Sequence, residues 1–143
     1  MFILSETQQT KVIEAIKDAE TNTSGEIKVH IESNCKHESP MERAGQIFEY
    51  LHLHKTANRN GVLFYLAYED RKFAVLGDKG INDKVGADFW NSTVGLLRDY
   101  FKKGDFENGL IAGIKEAGIK LREFFPYQST DKNEISDDLS IGH

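Results

Sequence analysis

Residues 61–68, Gly-Val-Leu-Phe-Tyr-Leu-Ala-Tyr, form an apolar run with almost no alternation. A half-exposed strand alternates with a period of two, so a run of this length without alternation reads as a central strand buried on both faces. The chain must therefore supply a covering layer on each side. The next apolar stretch, Lys72 to Leu76, follows the charged turn Glu69-Asp70-Arg71, so the two predict an antiparallel hairpin.

The flanking segments supply the layers. Ser5-Glu6-Thr7-Gln8 is a capping box, followed by Val12, Ile13, Ile16 and Ala19 at helical spacing until Thr21 to Gly25 ends the pattern. Glu26 to Glu32 alternates strictly, with Ile27, Val29 and Ile31 on one face and Glu26, Lys28, His30 and Glu32 on the other. That period predicts a strand with one face toward solvent or a groove. A second capping box, Ser39-Pro40-Met41-Glu42, opens a helix with its apolar stripe on Met41, Ala44, Ile47, Phe48 and Leu51. Strand, helix and central strand make a β-α-β crossover. Phe89, Trp90, Val94, Leu97 and Phe101 form another helical stripe. After Gly104 and the capping Asp105 comes a last helix with Leu110, Ile111, Ile114, Leu121 and Phe125. The expected fold class is α/β, a three-layer α/β/α sandwich with a small mixed sheet containing the crossover and the hairpin. Residues 1–126 read as one domain, and 127–143, polar and acidic without a periodic face, as a disordered tail.

Composition narrows the function. A net charge of -5 over 143 residues argues against nucleic acid as a partner, and no apolar run reaches the roughly 18 residues of a membrane helix. Met1 to Leu4 runs straight into Ser5-Glu6 without the pattern of an export signal, so a soluble cytoplasmic protein is expected. Cys35 stands alone, and the position six residues on holds Met41 rather than the arginine of a cysteine phosphatase loop. There is no Walker loop, dinucleotide fingerprint or nucleophile elbow, and no organic cofactor is implied. His52 and His54, two apart on an assumed helix, point away from one another and read as surface residues.

Hairpin and crossover together bring Ser24 to Glu26, Asn58 to Gly61 and Gly77 to Asp83 to one end of the sheet. The candidate catalytic carboxylates there are Asp78 and Asp83. Arg59, Asn60 and Lys79 are candidates for holding a substrate anion. Glu26, Asn60, Asp78 and Asp83 form an oxygen-rich set that suits calcium or magnesium better than zinc. A bound cation would neutralise phosphate oxygens while a carboxylate positions a water. The alternative reading of Asn60, Asp78 and Asp83 is that they are turn formers and helix caps.

The order Thr23-Ser24-Gly25-Glu26-Ile27, Asn60-Gly61-Val62-Leu63, Gly77-Asp78-Lys79-Gly80-Ile81 and Phe101-Lys102-Lys103-Gly104-Asp105-Phe106-Glu107-Asn108-Gly109-Leu110 resembles the TPM-domain family across residues 4–126. The resemblance implies an α/β sandwich and, since some members are described as acid phosphatases or as binding calcium, two expectations. One is a cation-assisted acid phosphatase acting on a small phosphate ester. The other is a non-catalytic, calcium-responsive module that binds a protein partner in assembly or quality control.

Overall fold

The computed structural model describes residues 3–86, 88–126 and 140–142. Helix α1 (Glu6–Glu20) starts at Ser5, whose hydroxyl accepts the Gln8 amide while the Gln8 side chain accepts the Ser5 amide, completing the expected box. Strand β1 (Glu26–Glu32) leads to α2 (Pro40–Tyr50), then a 3₁₀ turn at Leu53–Lys55 and the central strand β2 (Gly61–Ala67). At the start of α2 only half of the second box forms: Ser39 Oγ accepts from the Glu42 amide, with proline in the first turn. Strand β3 (Lys72–Gly77) completes the hairpin. It is followed by α3 (Lys79–Lys84), α4 (Asn91–Lys102), α5 (Phe106–Phe124) and the short β4 (Ser140–Ile141).

The sheet is four-stranded, in the order β3-β2-β1-β4, with β1 parallel to β2 and to β4 and with β2 antiparallel to β3. Two cores lie on its opposite faces. Ile27, Val29, Ile31, Val62, Phe64, Leu66 and Val75 pack with residues of α1, α4 and α5, whereas Leu63, Tyr65, Ala67 and Ala74 pack with Ala44, Ile47 and Phe48 of α2 and with Leu53. The central run lacks alternation because both of its faces meet a core. In the second layer α5 lies close to both α1 and α4 because it is built with glycines: a Cβ on Gly118 would come within 2.8 Å of Ala19, and one on Gly109 within 2.7 Å of Phe101.

One expectation resolves toward a groove and another needs correction. Strand β1 is buried at all seven positions. Its polar face is not open to solvent, because Arg43 of α2 and Tyr65 of β2 bond to Glu32 on that side. The groove is nevertheless real, since His30 and Glu32 line a cavity beside α2. The segment expected to be a tail ends in structure: Ser140 pairs with His30, Ile141 pairs with Ile31, and the Gly142 amide donates to the Ile31 carbonyl at 2.7 Å. Residues 127–139 lie outside those described. Among the described residues no helix is long and apolar enough to cross a membrane.

Candidate functional site

Register decides which loops meet. Glu26 pairs with Gly61 and Val62 with Gly77, so the residues just before β1 and β2 and just after β3 share one sheet end. Asn60 is 1% exposed there. Its backbone N–H donates to Thr56 Oγ1 at 3.1 Å and its side-chain amide donates to Ser24 Oγ at 3.0 Å, while its Oδ1 has no hydrogen-bond partner among the described residues. An orphaned, buried amide oxygen is costly unless something donates to it or binds it.

Asp78 caps α3. Its backbone N–H donates to the Gly61 carbonyl at 2.9 Å, and its Oδ1 accepts the Lys79 amide at 2.7 Å. Arg59 completes the carboxylate's partners, with Nε donating to Oδ2 at 2.7 Å and Nη2 to Oδ1 at 2.9 Å. This two-pronged geometry is the strong form of a charge-assisted pair. Asp78 is buried, yet the Arg59 side chain is 47% exposed, and its bond to Asp78 raises the guanidinium pKa. Arg59 adopts φ 50, in the left-handed region, and its carbonyl accepts the Gly80 amide at 2.7 Å. Gly80 permits that contact, because a Cβ there would stand 2.0 Å from the Asn58 carbonyl oxygen and 2.6 Å from that of Arg59.

The expected site residues therefore divide. Arg59, Asn60 and Asp78 gather at the sheet end with Ser24, and Glu26 is buried at the start of β1. Lys79 contributes its backbone amide while its side chain is exposed. Asp83, at the far end of α3, lines a separate cavity of about 380 Å³ with Ser24, Asn58, Gly80, Lys84 and Phe125. Asp78 instead lines a cavity of about 740 Å³ with Phe48, His52, His54, Lys55 and Arg59. Among the described residues no three His, Cys, Asp or Glu side chains gather as a metal-binding group.

The arrangement can be set beside known proteins. The profile of the TPM domain matches residues 2–119. The chain belongs to the TPM-domain family. The chain is also similar to the BA42 protein from the psychrophilic bacterium Bizionia argentinensis, known from an NMR structure. Identity is 42%, coverage is 97% of this chain and 95% of that one, and the TM-score is 0.90. The N-terminal domain of the cg2496 protein from Corynebacterium glutamicum shares the fold at a TM-score of 0.68, with 15% identity over 93% of this chain and 84% of that one. No functionally curated protein matches the sequence.

Two features of this TPM domain escaped the sequence reading. His52 and His54 line one cavity, with ring centroids 6.1 Å apart. Helix α2 stops at Tyr50, and His52 turns into the left-handed region at φ 58, so the assumed helical spacing does not apply. The hint was the Leu51–Lys55 stretch, where the apolar stripe breaks before the polar loop.

The second feature is an ionisable cluster between β1 and α2. Glu32, 1% exposed, accepts from Arg43 Nε at 2.8 Å and Nη2 at 2.9 Å and also from the Tyr65 hydroxyl. Its Oε1 lies 3.5 Å from His30 Nε2. Burial by itself would raise the Glu32 pKa, but the bonds from Arg43 and Tyr65 outweigh it and hold the carboxyl at about 2. Burial lowers the His30 pKa against the opposing pull of Glu32, and burial together with the Glu32 bond raises that of Tyr65. His30 Nδ1 also lies 2.8 Å from Ser140 Oγ, tying β4 to the cluster. Alternation put His30 and Glu32 on one face, but nothing local announced that Arg43 and Tyr65 would close over them.

Proposed function

We propose that this TPM domain is a calcium-responsive binding module without turnover of its own, in which Arg59 occupies Asp78 in place of the cation. The observation that carries this reading is the two-pronged Arg59–Asp78 pair, formed by a half-exposed arginine on a buried carboxylate. A guanidinium there is a stand-in positive charge. The orphaned Oδ1 of Asn60 is a second oxygen suited to a hard cation. Asp78 and Asn60, with Glu26 at the adjoining strand start, are the residues that would hold calcium or magnesium, and Asp83 lies apart from them in its own cavity. A bound cation would supply a charge to which a partner's carboxylate or phosphate can attach. Arg59, once released from Asp78, has exposure enough to contact the same partner.

A second reading rests on a different observation. The cavity beside Asp78 is lined by Lys55, Arg59, His52, His54 and Glu49, and its two basic side chains suit a phosphate monoester. In that reading the protein is a cation-assisted acid phosphatase, with Asp78 and Asp83 as the catalytic carboxylates and Arg59, Asn60 and Lys79 on the substrate. That Asp83 and Asp78 line different cavities favours the module.

Calorimetric titration with calcium and with magnesium, on wild type, Arg59→Gln and Asp78→Asn, separates these readings when p-nitrophenyl phosphate turnover is followed between pH 4 and 7 on the same samples. The module predicts several-fold tighter cation binding in Arg59→Gln, where the competing charge is gone, and binding weakened roughly tenfold or more in Asp78→Asn. Turnover stays at background throughout. Cation-dependent turnover that disappears in Asp78→Asn would establish the phosphatase instead, and equal cation binding by all three proteins would remove the shared site.

A further inference from the structure

At the opposite sheet end, beside the β2–β3 turn, lies a cavity of about 320 Å³ lined by Leu66, Arg71, Phe73, Arg98, Phe101, Lys102 and Phe106. Its volume is at the lower end of small-ligand pockets, roughly 300 to 1,000 Å³. The wall is aromatic. Phe73 and Phe101 meet edge to face at 5.2 Å between centroids, and Phe101 and Phe106 lie 5.3 Å apart and tilted by 41°. Leu66 of the central strand is fully buried behind them. Close approach of α5 to α4 at Gly109, where a Cβ would crowd Phe101 and Tyr100, holds the wall in place.

The rim is cationic. Arg71, Arg98 and Lys102 are exposed, and none of them forms an ion pair among the described residues. Two carboxylates of the same region are engaged elsewhere: Asp70 accepts from the Cys35 amide at 2.7 Å and from Asn34 at 3.1 Å, and Asp105 caps α5 through Asn108, while Glu69 and Asp99 are exposed and form no ion pair with the rim among the described residues. In a chain of net charge -5, positive groups concentrated on the rim of an aromatic cavity are the reverse of the average surface.

The geometry points to a second binding site here, separate from the Asp78 end, for a small organic anion: a carboxylate on an aromatic body of one or two rings. The body enters among Phe73, Phe101 and Phe106, where edge and face contacts suit another ring, and the carboxylate stays at the rim within reach of Arg98 and Lys102 on α4 and Arg71 in the turn. Burial of the ring and pairing of the carboxylate are both required, so charge should decide between ligands of equal shape.

The probe pair is 2-naphthoate and its uncharged isostere 2-naphthamide, titrated into the ¹⁵N-labelled full chain while amide shifts are recorded. We expect saturable shifts from naphthoate at Leu66, Arg71, Phe73 and Arg98 to Phe106, weaker binding of the amide, and unchanged signals at Asn60 and Asp78. The Arg98→Gln/Lys102→Gln double variant changes only exposed side chains and should keep its fold. It should weaken naphthoate roughly tenfold while leaving the naphthamide affinity as it was. Equal affinity for the two probes would make this a plain apolar cavity and overturn the assignment. So would the absence of shifts at these residues, or concentration-dependent broadening of the same signals without probe, which would place a second copy of the chain on this face.

Discussion

Replacing Glu32 by glutamine should cost about 2–4 kcal/mol of stability, read from urea unfolding at neutral pH. Glutamine keeps the shape but removes the charge on which Arg43 places two bonds and Tyr65 a third. A buried pair broken on one side usually costs more, about 3–5 kcal/mol, because the surviving charge is stranded. Arg43 keeps 15% side-chain exposure and can recover some hydration, which lowers the expected range. Tyr65→Phe, which leaves the ion pair intact, should cost less, about 1–2 kcal/mol.

The pH dependence separates this account from simple loss of packing. Folding lowers the Glu32 pKa from 4.5 to about 2, so its contribution is fully present above pH 4.5 and is lost as the pH falls through 2. His30 acts in the same direction from a higher starting point. Its pKa is lowered on folding from 6.5, so the unfolded chain takes up the proton first and stability begins to fall as the pH drops below 6.5. Wild type should therefore lose stability in both windows on acidification, whereas Glu32→Gln should lose less between about pH 4.5 and 2, with Asp70, lowered by its bonds from Cys35 and Asn34, still contributing. An unchanged acid profile in the variant would show that Glu32 is not the carboxylate responsible.

Two glycine substitutions should have opposite signs. Alanine in place of helical glycine ordinarily stabilises by about 0.5–1 kcal/mol through helix propensity. At Gly45 of α2 a new Cβ would meet nothing within 4 Å, and Gly45→Ala should show that gain. At Gly80 the same methyl would stand 2.0 Å from the Asn58 carbonyl oxygen, and backbone on both sides must move. Overpacking costs about 1–3 kcal/mol where side chains can give way, and here the obstacle is main chain, so Gly80→Ala should lose about 2–4 kcal/mol net of propensity. The damage should also be specific. The Gly80 amide bond to Arg59 holds the loop that presents Arg59 to Asp78, so amide shifts should spread over residues 58 to 60 and 78 to 80. A variant as stable as wild type would mean that the loop and α3 do not pack as described.

Much of this arrangement was legible in the residues because it is local. Ser5 and Gln8 recognise one another three positions apart, the period of β1 is two, and the hairpin turn is a short charged stretch. The unalternating central strand demanded two layers and has them. What escaped depends on partners distant in sequence. Glu32 and Tyr65 are 33 residues apart and Arg59 and Asp78 are 19 apart, so a polar strand face read as meeting solvent or a groove is buried, and an aspartate read as a ligand or a cap is also paired. Asp78-Lys79-Gly80 looks the same whether it ends a strand, opens a helix or awaits an ion. Helix α3 carries no period in the sequence, since it has six residues with one buried apolar side chain. Ser140 and Ile141 looked like tail because pairing through the backbone leaves no mark on the side chains.

In the function proposed above, Arg59 and a divalent cation compete for Asp78. The direct measurement is a calcium titration of the ¹⁵N-labelled chain that follows the Arg59 Nε–H signal together with the amides of Asn60, Asp78 and Lys79. Competition predicts that the Arg59 signal moves to the position of a solvated guanidinium in step with the amide shifts, with the same midpoint, and that Asp78→Asn shows neither change. An Arg59 signal that stays fixed at saturating calcium, or calcium shifts that persist unchanged in Asp78→Asn, would contradict it.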